Sequence, residues 1–221
     1  MSVKKPFMII FDGLIGSGKT TLINSLCNYM NSKGIKTLSV LEPVHLWKEC
    51  GALEHFYKDI PQNCYEFQTF VYVTRIKDLL LKYKESKDKY DVFLIERSIL
   101  TDRYVFVEML KNELGTIRYN MYQEWANMWK EVIPFSFDLF VFLDTDVQTS
   151  MERIKKRNRD EETQIPESYQ KNLLEAHKTF YNKDLKNLNY KTIHIDNDIM
   201  NCDVEVISEK VFQKIKDTHK I

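Results

Sequence analysis

Half of the chain's six glycines fall between positions 13 and 18, and Lys19-Thr20 follows them directly. The run Gly13-Leu14-Ile15-Gly16-Ser17-Gly18-Lys19-Thr20 satisfies G-x-x-x-x-G-K-[ST] throughout. Its chemistry is phosphate binding. Glycines keep Cβ atoms out of the way, so backbone N–H groups turn inward, and the N-terminus of the following helix adds partial positive charge. Lys19 then reaches the β- and γ-phosphates, and the Thr20 hydroxyl is placed to ligate Mg²⁺. Gly13, Ile15, Gly16, Ser17, Gly18, Lys19, Thr20 and Thr21 are thus candidate ATP-binding residues.

Carboxylates and arginines recur where such a loop would use them. Glu42 closes the second apolar run of the chain, Glu96-Arg97 the third, and Asp144 and Asp146 the fourth. A carboxylate at the carboxyl end of a strand can hold Mg²⁺ or take the proton of an attacking hydroxyl. It can also merely cap a helix, and for Asp144 and Asp146 both readings stay open. Glu42 is different, because Pro43 ends the strand and turns it away from regular pairing. Further on, Arg153, Arg157 and Arg159 precede a polar stretch and Pro166. Arginine forks suit phosphate oxygens, and a segment of this kind, about 153–165, can close as a water-excluding lid. Gln68 and Arg75, two helical turns apart, face the same side.

The elements that must carry these residues follow from hydrophobic pattern. Runs at 7–11, 36–41, 91–96, 138–144 and 191–196 are nearly continuous, as in strands buried on both faces of a parallel sheet. Helical patterns cover 19–33, closed by Gly34, then 61–85, 117–133, 166–188 and 203–218. A three-layer α/β fold is expected, with ligands at the carboxyl ends of the strands. The 221 residues suit a single domain, 1–221. Lys+Arg and Asp+Glu balance at 32 each, so no net field points to nucleic acid or an anionic membrane. No apolar run spans a bilayer, and six residues before the first run leave no room for a leader. The four cysteines form no Cys-x-x-Cys pair and read as reduced thiols, which suits the cytoplasm.

A GTP-binding switch would need D-x-x-G and N-K-x-D. Gly34, Gly51 and Gly115 each lack an Asp three places before, and Asn182-Lys183-Asp184-Leu185 fails at its last position. The loop together with "EPVHLW", "FQT" and Arg75, "ERS" and "DRYVF", and "RIKKRNRDEE" resembles the eukaryotic-type deoxynucleoside kinases, most closely the deoxycytidine and deoxyguanosine branch. The resemblance covers roughly residues 7 to 196. It implies a P-loop kinase fold with a five-stranded parallel sheet flanked by helices, and a homodimer formed through a helical bundle.

By that resemblance the chain transfers the γ-phosphate of ATP, or another NTP, to the 5′-hydroxyl of a deoxynucleoside, with Mg²⁺ as cofactor. Glu42 is then the general base, Arg97 holds the hydroxyl and the transferring phosphate, and Glu96 lies near Mg²⁺. Tyr57 and Glu162 match positions that hold the sugar 3′-hydroxyl. Ile15, Trp47, Leu53, Phe67, Val71 and Phe106 match the nucleoside slot, with Gln68 reading the base edge. Arg153, Arg157 and Arg159 match the lid, and the adenine of the donor rests against a loop at about 196–200. The Arg75–Asp102 pair marks members that favour cytosine or purine deoxynucleosides. Asp102 can accept from an exocyclic amino group, whereas thymine presents a carbonyl there. The competing class is a thymidylate-type nucleoside monophosphate kinase, which commonly carries Arg immediately before the Glu-Pro, where this chain has Leu41.

Overall fold

Alternation within five short strands sets the architecture. The computed structural model describes residues 5–159, 162, 165–196 and 203–218. Strands β1 (Phe7–Gly13), β2 (Thr37–Val40), β3 (Val92–Glu96), β4 (Leu139–Leu143) and β5 (Lys191–Ile195) form one sheet in the order β2-β3-β1-β4-β5. Every pairing is parallel, with Phe11 opposite Glu96 and Gly13 opposite Leu143 on the two sides of β1.

Successive side chains of a strand point to opposite faces, and both faces are covered here. On one, Ile9, Phe11, Leu94 and Val141 pack with Leu22 and Leu26 of α1 (Lys19–Ser32) and Val211 and Ile215 of the C-terminal helix. On the other, Ile10, Phe93, Ile95, Phe140 and Phe142 meet α4 (Ile60–Ser86), α6 (Lys111–Val132) and α8 (Glu167–Thr179). All these strand side chains are buried, which is why the strands read as unbroken apolar runs. Among the described residues no helix is long and apolar enough to cross a membrane.

The remaining elements are short. Helices α2 (Val44–Glu49) and α3 (Ala52–Lys58) are separated by Gly51 at φ 74°. Neither completes two turns, so neither shows a period in sequence. After β3, α5 (Ile99–Thr101) runs into a π-helical turn over Asp102–Val107. α7 (Val147–Arg157) carries Arg153 and Arg157. The expected helix 166–188 is instead α8, a π-helical turn over Phe180–Asp184, and α9 (Leu185–Asn187). The expected helix 117–133 begins earlier, at Lys111, with a break at Gly115 where φ is 67°. The last described element is α10 (Val204–Thr218).

Candidate active site

β1 delivers the glycine loop to the carboxyl edge of the sheet. A Cβ at Gly13 would lie 2.8 Å from Leu143 O, and one at Gly16, whose φ is 82°, would lie 2.7 Å from Ser150 O. Only glycine fits either place. Lys19 is buried and donates to Leu14 O at 2.8 Å and Gly13 O at 3.3 Å. Burial, followed by the nearby Arg97 charge, lowers its pKa to about 8. The Thr20 hydroxyl donates to Glu96 Oε2 at 2.9 Å.

Glu42, just past β2, is clamped between two guanidiniums. Arg97 Nη1 donates to its Oε2 at 2.9 Å, and Arg75 Nη2 to its Oε1 at 2.8 Å. Burial opposes ionisation of Glu42, but Arg97, Arg75 and Lys19 outweigh it and hold the carboxyl down to about 2. Arg75 is braced twice more, by Asp102 Oδ2 at 2.8 Å and Glu96 O at 3.0 Å. Arg97 adopts φ 59°, a left-handed conformation that costs a non-glycine residue strain of a kind that gathers at functional sites. The next residues stabilise it: Ser98 and Thr101 form a capping box, and Thr101 Oγ1 donates to the buried Asp12 at 2.9 Å. Asp12 also accepts from Tyr181 at 3.0 Å, and burial lifts its pKa to about 6. Asp12 escaped sequence reading because it lies inside an apolar strand.

Lys19, Thr20, Glu42, Arg75, Glu96, Arg97 and Asp102 open onto a cavity of about 190 Å³. All twelve expected substrate-binding residues line it: Glu42, Trp47, Leu53, Tyr57, Phe67, Gln68, Val71, Arg75, Arg97, Asp102, Phe106 and Glu162. Ile15, Gly16, Lys19, Thr20, Glu96, Arg157 and Arg159 share its wall, whereas Gly13, Ser17, Gly18, Thr21 and Arg153 do not. Arg153 donates instead to Ser17 O at 3.3 Å. Trp47 is fixed by an indole hydrogen bond to Thr74 at 2.9 Å, and Arg97 sits 5.0 Å over the Phe106 ring. Glu162 pairs with both Arg157 and Arg159. Asp102 Oδ1 is buried without a hydrogen-bond partner among the described residues.

Two aromatic walls were missed. Phe56 stacks on Phe67 with centroids 4.4 Å apart, and Tyr169 meets Tyr57 edge-on at 6.4 Å. Phe56 lies on the unrecognised α3, and Tyr169 is one of many aromatics in a helical pattern. Asp146 caps α7 by accepting from Thr149 N at 2.7 Å, and neither it nor Asp144 lines the cavity. In the expected adenine loop, 197–200 lie outside the described residues.

Comparison with known proteins bears on the family and the fold. Human mitochondrial thymidine kinase 2 is 32% identical over 171 residues, 75% of this chain and 61% of that protein, so the chain matches less than two thirds of that relative. Deoxycytidine kinase 2 of Gallus gallus is 27% identical over 203 residues, 80% of this chain and 75% of that protein. The structure of deoxyadenosine kinase from M. mycoides with dCMP and a flexible dCDP bound superposes with a TM-score of 0.74 at 26% identity, covering 96% of this chain and all of that one. The family described as deoxynucleoside kinase matches residues 9–219. The chain belongs to the deoxynucleoside kinase family.

Proposed function

We propose that the protein transfers the γ-phosphate of ATP, or another NTP, to the 5′-hydroxyl of a deoxynucleoside. The observation that carries this reading is the clamp of Glu42 between Arg97 and Arg75, set beside Lys19 in one cavity. A sugar hydroxyl is a poor nucleophile until its proton has a destination, and Glu42 is the carboxylate positioned to take it. Held by two guanidiniums, it is a weak base. When Arg97 turns from the carboxylate to the transferring phosphate, Glu42 loses one of the charges that depress it and becomes more basic. Lys19, Arg157 and Arg159 neutralise charge on the phosphates, and Tyr57 with Glu162 fixes the 3′ side of the sugar. Positioning and charge neutralisation thereby supply most of the rate.

Thr20 and Glu96, in contact through hard oxygen atoms, fit Mg²⁺ and would be the residues that hold it. Bound there, the ion offsets negative charge on the transferring group. For the base, Asp102 lines the cavity and offers a carboxylate acceptor to an exocyclic amino group, with Arg75 holding its Oδ2. Deoxycytidine, deoxyadenosine and deoxyguanosine are therefore favoured over thymidine. We read residues 1–221 as one domain acting as a cytoplasmic homodimer. The cytoplasmic reading rests on Cys27, Cys50 and Cys64, all free thiols, and the dimer on an exposed apolar face of α6.

A coupled ADP-release assay with the four deoxynucleosides and their monophosphates tests the reading. Turnover confined to the monophosphates would replace it with a nucleoside monophosphate kinase.

A further inference from the structure

The glycine loop is held from behind. Ile15 O accepts two side-chain hydrogen bonds, from Ser150 Oγ of α7 at 2.7 Å and from Gln170 Nε2 of α8 at 2.8 Å. Gln170 Nε2 also donates to Ser150 Oγ at 2.7 Å, closing a triangle. Both side chains are fully buried, and Gln170 Oε1 has no hydrogen-bond partner among the described residues. A carbonyl can only accept, so the amide must present its NH₂ to Ile15, and the orphaned oxygen follows from that choice. An unpaired buried acceptor destabilises the fold, so this orientation calls for a return at Ile15.

A planar trans peptide points its C=O and N–H in opposite directions. The N–H sharing a plane with the Ile15 carbonyl belongs to Gly16, which lines the cavity. Anchoring Ile15 O against α7 and α8 therefore turns the Gly16 N–H away from those helices. We propose that Ser150 and Gln170 are positioning residues that aim the Gly16 amide at the donor triphosphate. Donor affinity then depends on two side chains that do not touch the nucleotide. The inference rests on reading the glycine loop as the triphosphate site. The same helix face meets the loop again through the close Gly16–Ser150 contact and through Arg153, whose Nη1 donates to Ser17 O at 3.3 Å. The loop and the helix bearing the lid arginines are thus registered against each other.

The test compares wild type, Ser150→Ala, Gln170→Met and the double variant. Calorimetry measures binding of a non-hydrolysable ATP analogue with Mg²⁺, and steady-state kinetics gives KM for each substrate. Losing one hydrogen bond should weaken analogue binding about threefold to tenfold in each single variant, and the double variant should lose more than tenfold. The deoxynucleoside KM should stay within about twofold, because the bonds orient only the loop amide. Ser150→Ala keeps Gln170 in place and remains decisive if Gln170→Met fails to fold. Equal analogue affinity in wild type and the folded variants overturns the proposal, as does a parallel loss of both substrates with a lower melting temperature. A wild type that does not bind the analogue removes the triphosphate reading itself, which distinguishes the two failures.

Discussion

Lys19 and Glu42 carry opposite protonation problems, and each yields a measurable consequence. Burial and Arg97 hold Lys19 near 8, so its cation is lost as pH rises through that value in the free enzyme. Because kcat/KM reports free-enzyme groups, kcat/KM for ATP should fall above about pH 8, while bound phosphates restore the charge and move the limb of kcat higher. A kcat/KM for ATP that stays level to about pH 9.5 would contradict the assignment. Glu42→Gln keeps the shape but removes the base, so kcat should drop about 10²-fold or more with little change in nucleoside affinity. Collapse of affinity at constant kcat would make Glu42 a binding residue only. Replacing Arg75 by Met and Asp102 by Ala together should raise kcat/KM for thymidine relative to the natural substrate. The double change is needed because stripping one partner from a buried ion pair costs ~3–5 kcal/mol. Wild type that already prefers thymidine would sink the base-reading argument and leave the kinase assignment intact. Each of these residues was legible in the sequence as a type. That Arg75 and Arg97 converge on one carboxylate was not, since the clamp joins positions 33 and 55 apart and depends on the left-handed Arg97 backbone.

At the scale of elements, local signals were readable in proportion to their length. The glycine loop and five strands announce themselves through fixed spacing and unbroken apolar runs. Helices α2 and α3 do not, and with them went Phe56. The π-helical turn over Asp102–Val107 is also silent in sequence, yet it brings Asp102 and Phe106 to the same cavity. Such wide turns recur at functional sites. The proposed lid is the element whose role is most separable from stability. The Arg157 side chain is 34% exposed, and its ion pair with Glu162 is a local contact within the lid. Arg157→Ala should therefore lower kcat at least about tenfold and leave the unliganded melting temperature within about 2 °C. A large loss of melting temperature with normal turnover per folded molecule would reassign it as structural.

For the molecule as a whole, the outer face of α6 remains apolar. Ile117, Met121, Trp125, Met128 and Val132 follow helical spacing and are between 44% and 77% exposed, more than an isolated surface needs. Sedimentation at micromolar concentration should give twice the 26.4 kDa chain mass, and Trp125→Glu should shift it toward a single chain. A wild type that sediments as one chain would remove the dimer from the reading. The sheet order has a consequence of another kind, in time. β1 precedes the other four described strands in sequence, yet it occupies the middle and pairs only with β3 and β4. Its register partner Leu143 lies 130 positions after Gly13. At a synthesis rate of ~5–20 residues per second, an apolar strand waits roughly 6 to 26 seconds for its second neighbour. Among the five strands, β1 is thus the one that stays longest without its full set of neighbours while the chain is being made.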